Sequence, residues 1–312
     1  MEQILLLSKK DLEFSKYEAL KLYKPKEYAI FDNLLIFNSD KHHYKKLAYS
    51  SEAYEFLFKT TINDLEKDTK NFDWKKHIKD SFSVRIINST SLERKVGGII
   101  FDTLKNVKVD LKNPKTKIVF FKIENEIICG NLIYNQDKSF NKRKAHLRPE
   151  LHPTSLSPQL AIASINLSGK INGKFLDPFC GSGGILLEAA ILGFEVTGYD
   201  IDKIMINRSK INLDHYKIKN YTLKIHDATK INEKFDLIVT DLPYGKSSKL
   251  SKEIITLYKD FLKKIYEITD TAVILFPDFV DYESLLGKWN EEISFDYYLH
   301  KSLSKKIVLL KK

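Results

Sequence analysis

The chain has 312 residues, room for two domains at roughly 150 residues each. Its 43% hydrophobic and 12% aromatic content excludes a disordered chain. The net charge of +10 is uneven, +8 over residues 1–150 and +2 over residues 151–312. A basic front half fits a polyanion partner, and equally a lysine-rich solvated surface. Two cysteines, Cys129 and Cys180, cannot build a disulfide framework and fit a reducing compartment. No Cys/His cluster has zinc-finger spacing, so no metal is expected. No apolar run approaches the ~18 residues of a membrane span. The opening MEQILLLSKKDLE lacks the basic start and longer apolar stretch of a signal peptide. The expectation is a soluble, cytoplasmic protein, with a monomer favoured.

Residues 4–7 read as a strand, and 11–23 as a helix with Leu12, Tyr17, Leu20 and Leu22 at helical spacing. Two apolar bursts, 28–31 and 34–37, are split by Asp32-Asn33 and predict a hairpin. The spacing over 44–59 predicts another helix. A strand is expected at 83–87, a helix at 91–104, and a hairpin from 117–123 and 127–134 around Glu124-Asn125-Glu126. This half reads as α+β with an antiparallel element. Residues 136–150, QDKSFNKRKAHLRPE, have no apolar periodicity and carry Lys138, Lys142, Arg143, Lys144 and Arg148. They read as a basic linker, its charges solvated or touching phosphate.

The second half changes rhythm. Ser157-Pro158 is an N-cap followed by a first-turn proline, opening a helix to about residue 167. Strands at 174–178, 195–201, 222–226, 236–240 and 272–276 then alternate with helices at 183–192, 203–215, 253–268 and 282–289. That alternation implies parallel βαβ units. Residues 295–299 and 307–310 read as a closing hairpin. The expected fold is α/β, a doubly wound sheet with an antiparallel edge strand.

Four of these strands end in an acid: Asp177, Asp200, Asp227 and Asp241. In a doubly wound sheet the carboxyl ends of strands line the ligand crevice. One acid there is commonly a helix cap; four on consecutive strands make a poor coincidence. DPFCGSGG (177–184) puts Gly181, Gly183 and Gly184 between a strand and a helix, where glycine permits a tight turn and close approach of a ligand. The pattern is not GxGxxG, which disfavours a dinucleotide. GYDID (198–202) puts Asp200 at 23 residues beyond Asp177, near the offset of an acid that accepts from two ribose hydroxyls, while Asp202 suits a helix cap. Asp227 in KIHDAT fits an acceptor for an adenine amine and equally an ordinary turn aspartate. TDLPYGKSS (240–248) is the most specific. Asp241 and the Leu242 carbonyl can each accept one hydrogen of an exocyclic amine, Pro243 kinks the chain, and Tyr244 can stack on the base. Two acceptors on one amine draw its lone pair out of ring conjugation and make the nitrogen nucleophilic.

These motifs resemble those of the class I S-adenosylmethionine-dependent methyltransferases. DPFCGSGG is similar to their first cofactor motif, and TDLPYG to the (Asp/Asn)-Pro-Pro-(Tyr/Phe) motif of amine methyltransferases. Residues 152–168, HPTSLSPQLAIASINLS, and the terminal KSLSKKIVLL resemble archaeal tRNA guanosine-10 N2-methyltransferases. Residues 95–134 resemble a THUMP module, and residues before about 60 the ferredoxin-like domain that accompanies it. The resemblance implies a ferredoxin-like domain (1–60), a THUMP-like RNA-binding domain (61–135), a linker (136–150) and a Rossmann-like methyltransferase domain with a seven-stranded sheet (151–312). It implies S-adenosylmethionine as cofactor and tRNA as partner. It assigns Asp177, Gly181 and Gly183 to the cofactor turn, Asp200 to ribose, Asp227 to adenine, and Thr154 and Ser155 to the cofactor's methionine end. Asp241, Leu242, Pro243 and Tyr244 become the catalytic motif. Leu242 stands where the family usually has proline; Pro243 still biases it toward extended backbone, so a looser but working site is expected. The expected activity is N2-methylation of a tRNA guanosine, at position 10, once or twice. The alternatives are methylation of another RNA exocyclic amine and a catalytically silent RNA-binding adaptor.

Overall fold

Residues 50–61 carry aromatics at every second position, Tyr54, Phe56 and Phe58, flanked by Ser and Thr. In the computed structural model, which describes residues 1–152, 155–244, 252–300 and 303–312, this segment is a strand. The helix expected over 44–59 is reduced to a 3-10 turn at His43–Lys46. Pairing on both sides of the segment, which helical spacing does not register, selects the extended form.

The chain forms two compact units: residues 1–16, 23–45 and 50–137, and residues 17–22, 46–49 and 138–312. The first contains β1 (Glu2–Leu7), α1 (Leu12–Tyr23, shared with the second unit), β2 (Tyr28–Phe31), β3 (Leu34–Asn38), β4 (Ser50–Thr61), α2 (Leu65–Asn71), β5 (Ser81–Ile87), α3 (Glu93–Asp102), β6 (Lys108–Val109), β7 (Thr116–Ile123) and β8 (Glu126–Asn135). Its eight strands form one sheet in the order β2-β3-β1-β4-β8-β7-β5-β6. Asp32 and Glu124 adopt left-handed backbone in the two expected hairpin turns. Alternation along β7 feeds both faces: Ile118 and Phe120 join Trp74, Phe82, Val96 and Ile100, while Val119 and Phe121 join Ile4, Leu34 and Tyr54. The boundary expected between residues 60 and 61 falls at the end of β4, and strands from both sides of it share this sheet.

The second unit contains α4 (Pro158–Leu167), β9 (Lys174–Asp177), α5 (Gly184–Leu192), β10 (Glu195–Asp200), α6 (Lys203–His215), β11 (Tyr221–Ile225), β12 (Leu237–Asp241), α7 (Lys252–Ile268), β13 (Thr271–Pro277), β14 (Asn290–His300) and β15 (Leu303–Lys311). The sheet order is β11-β10-β9-β12-β13-β15-β14. The first five strands are parallel, β15 runs antiparallel between β13 and β14, and β14 forms the edge. The reversed strand thus lies one place in from the edge.

Local chemistry explains the helices. Ser157 caps α4, its hydroxyl accepting from the Leu160 amide at 3.2 Å, with Pro158 following. Tyr258, Phe261, Leu262, Ile265 and Ile268 line one face of α7 and are buried against β13 residues such as Ile274 and Phe276. The helix expected at 282–289 is only a 3-10 turn, Glu283–Leu285. Gly287 there is left-handed, and the Trp289 indole turns inward to donate to the Leu262 carbonyl at 3.0 Å. Residues 136–150, expected as a solvated linker, form two 3-10 turns, Ser139–Arg143 and Ala145–Leu147, and Arg148 is buried. Among the described residues no helix is long and apolar enough to cross a membrane.

Candidate active site

The acids read from the sequence gather at the carboxyl ends of the parallel strands. Asp177, Asp200 and Asp241 are the last residues of β9, β10 and β12, while Asp227 lies just beyond β11. A cleft of about 450 Å³, bordered by Lys174, Asp236, Thr269 and Asp270, lies at the opposite, amino ends of these strands and carries none of this chemistry.

Asp177 is buried and ties two strands together. Its Oδ1 accepts from the Thr240 hydroxyl at 2.6 Å and the Phe179 amide at 3.2 Å. Burial pushes its carboxyl up to about 7, against those hydrogen bonds and helped by the nearby Asp241 and Asp200. The turn after it reaches α5 through Gly181 and Gly183, both left-handed. A Cβ on Gly183 would meet the Ser209 hydroxyl at 2.3 Å, whereas one on Gly181 would meet nothing within 4 Å. Gly183 is required by packing against α6; Gly181 leaves its side open. Asp200 braces this turn, its Oδ2 accepting from the Gly181 amide and its Oδ1 from the Asp202 amide, each at 2.9 Å. Burial raises its carboxyl above the usual range. Asp202 caps α6, accepting from the Ile204 amide at 2.7 Å.

Asp227 closes its own turn, accepting from the Thr229 amide and hydroxyl at 2.9 and 2.7 Å, which hold its carboxyl low. The Ser155 hydroxyl lies 3.1 Å from that of Ser182 in the glycine turn. Thr154 lies outside the described residues.

At the end of β12, Leu242 points into the core, 1% exposed, and its amide donates to the Leu275 carbonyl at 3.1 Å. The Tyr258 hydroxyl donates to the Pro243 carbonyl. Leu242 is therefore anchored by burial and Pro243 by a cross-link to α7. The Tyr244 hydroxyl is buried without a hydrogen-bond partner among the described residues, and its ring stands 6.5 Å from that of Phe279.

Two features escaped the sequence reading. Lys305 of β15 is 1% exposed and forms an ion pair with Asp241, its Nζ 4.4 Å from the centroid of the Tyr244 ring. Glu188 of α5, wholly buried, is held by Arg143, whose Nε donates to Oε1 at 2.9 Å and Oε2 at 3.2 Å and whose Nη2 donates to Oε2 at 2.6 Å. Arg148 donates from Nε to the Arg143 carbonyl at 2.8 Å and lies against Gly184, where an added Cβ would meet Nη1 at 2.7 Å. The expected linker thus underpins the helix that carries the glycine turn.

A parallel sheet with the β15 reversal, a glycine turn braced by the acid of the next strand, and an Asp-Leu-Pro-Tyr strand end define a class I amine methyltransferase. Comparison with known proteins agrees. A family model described as "RMKL-like, methyltransferase domain" matches residues 145–297, and one described as "DNA methylase" matches residues 1–210. The tRNA (guanine(10)-N2)-dimethyltransferase of Methanothermobacter thermautotrophicus is 36% identical over 86% of this chain and 84% of that protein. That of Pyrococcus abyssi is 35% identical over 72% of this chain and 70% of that protein. The chain belongs to the tRNA (guanine(10)-N2)-dimethyltransferase family. In fold it resembles the crystal structure of TrmN from Thermus thermophilus, with a TM-score of 0.54 over 100% of both chains at 19% identity.

S-adenosylmethionine fits this site. The open side of Gly181 leaves room for a ligand against the backbone, and the buried acids suit a sulfonium cation. Among the described residues no group of three His, Cys, Asp or Glu side chains is disposed to hold a metal ion.

Proposed function

We propose that this protein transfers methyl groups from S-adenosylmethionine to N2 of a guanosine in tRNA, at position 10, once or twice. The observation that carries the reading is Asp241 at the end of β12, leading into Leu242-Pro243-Tyr244 beside a glycine turn. The cofactor, when bound, supplies an electrophilic methyl on sulfur. Asp177, Gly181 and Gly183 shape its turn, Asp200 accepts from the ribose hydroxyls, and Asp227 accepts from the adenine amine. Thr154 and Ser155 take the methionine end. Asp241 and the Leu242 carbonyl each accept one hydrogen of the guanine amine, which frees the nitrogen lone pair. Tyr244 stacks on the base. Asp241, or water beyond it, takes the proton that the methylated nitrogen releases.

In this reading the first unit, residues 1–60 ferredoxin-like and 61–135 THUMP-like, grips the tRNA, and its positive charge makes binding weaken with salt. The protein works as a monomer in the cytoplasm. Asp200→Ala is expected to weaken cofactor binding about ten- to a hundredfold, the effect of losing a charge-assisted acceptor worth about 1.5–3 kcal/mol. The same change frees the Gly181 amide. Calorimetry with S-adenosylmethionine checks this, and unchanged affinity removes Asp200 from the cofactor site. The reading as a whole is tested by incubating the protein with unmodified tRNA and labelled cofactor, then analysing nucleosides. Label in N2-methylguanosine and N2,N2-dimethylguanosine is expected; label in N6-methyladenosine would assign a different amine.

A further inference from the structure

Lys305 is one of the largest fully buried side chains of the protein. It lies on the same side of β15 as Ile307 and Leu309, both fully buried, so its position is one that packing alone would give to an apolar residue. Burying an ammonium is costly unless a partner repays it. Its position in the sheet shows what the partner is. Lys305 pairs with Pro277 of β13 on one side of that strand, and Asp241 pairs with Leu275 on the other. Lys305 therefore reaches over β13 to donate to Oδ1 of Asp241, and its Nζ also rests over the Tyr244 ring. The ion pair uses Oδ1 and does not use Oδ2.

We propose that Lys305 is a positioning residue of the amine site: its ammonium holds the Asp241 carboxylate ionised and oriented through Oδ1, so that Oδ2 receives the hydrogen of the guanine amine. The inference rests on the function proposed above and extends it to a residue outside the Asp-Leu-Pro-Tyr motif. Among the described residues, the other groups around Asp241 supply no second cation. Asp177 on β9 is a like charge. Tyr244 follows it in the chain, and Tyr258 on α7 is neutral and engaged with the Pro243 carbonyl. Asp278 after β13 is a further acid, close enough to Tyr244 to raise its phenol pKa. Burial pushes the Asp241 carboxyl above its ordinary range, and Lys305 opposes that push. An acceptor is needed only in its ionised form, so activity is present above the carboxyl's pKa and lost as the pH falls through it. Removing Lys305 raises that pKa and moves the acid limb to higher pH.

The test is single-turnover methylation at saturating tRNA and S-adenosylmethionine across pH for the wild type, Lys305→Met, Lys305→Gln and Lys305→Arg. The acid limb of the Met and Gln variants is expected roughly 1–3 units higher, the range an adjacent opposite charge imposes. Below that displaced limb their rates fall about tenfold per pH unit and recover as the pH rises. Lys305→Arg, which keeps the charge, retains the wild-type limb. Cofactor affinity, read by calorimetry, stays at the wild-type value in all three. An unmoved limb, or a loss equal at every pH, overturns the role of Lys305 while leaving the proposed function standing. Loss of cofactor binding in both the Met and the Gln variants makes Lys305 a support of the fold and also overturns it. A wild type that forms no N2-methylguanosine overturns the function itself.

Discussion

Asp241→Ala is expected to cut single-turnover methylation roughly 10²–10³-fold, the scale of one hydrogen-bonding group that acts on the transition state. Guanine N2 is a poor nucleophile because its lone pair is shared with the ring. As the nitrogen attacks it rehybridises and gains positive charge, so in the proposed mechanism its contacts with Asp241 and the Leu242 carbonyl strengthen toward the transition state. The substitution also leaves the buried Lys305 ammonium without its partner. Cofactor affinity should stay near wild type, because the glycine turn is braced by Asp200 rather than Asp241. Affinity for tRNA should also be near normal if the first unit supplies the grip. Wild-type turnover in Asp241→Ala would reduce the motif to a turn.

Glu188→Ala is expected to destabilise the fold by about 3–5 kcal/mol, the cost of removing one member of a buried ion pair. Glu188 is 0% exposed, and the Arg143 side chain bound to it is 12% exposed. The Arg148 guanidinium lies close by, its Nη1 and Nη2 without hydrogen-bond partners among the described residues. Without the carboxylate, two guanidinium charges remain beneath the start of α5, and the glycine turn loses its support. The shift in urea denaturation midpoint measures the effect. A change below about 1 kcal/mol, the value of an exposed pair, would contradict this burial argument.

Both predictions also show where the sequence was legible. Strands β9, β10 and β12 were recognisable because each ends in an acid at a change of periodicity, and the Ser157-Pro158 cap and the Asp202 cap are local chemistry. Central strand β4 was misread because its neighbours β1 and β8, distant in sequence, decide its conformation. Lys305 was hidden among 51 basic residues in a segment, KSLSKK, that reads as a solvated turn. The signal that identifies it is its alternation with Ile307 and Leu309, which puts a charge on an apolar face. Arg143 and Arg148 were hidden for the same reason. Their signal lay elsewhere, in Glu188, the one charge in GILLEAAIL, an otherwise apolar helix that needs a cation beside it. Asp227 admits two readings from the sequence, and its hydrogen bonds to Thr229 account for the turn without deciding the adenine contact.

The central claim, that the Asp241 end of β12 activates an exocyclic amine of guanine, is tested most directly by removing that amine from the substrate. A tRNA carrying inosine in place of guanosine 10 keeps the purine, the ribose and the phosphate but lacks the 2-amino group. With labelled S-adenosylmethionine, the account predicts rapid labelling of the guanosine tRNA, none of the inosine tRNA, and equal binding of both. Labelling of the inosine tRNA at the rate of the guanosine tRNA would contradict it.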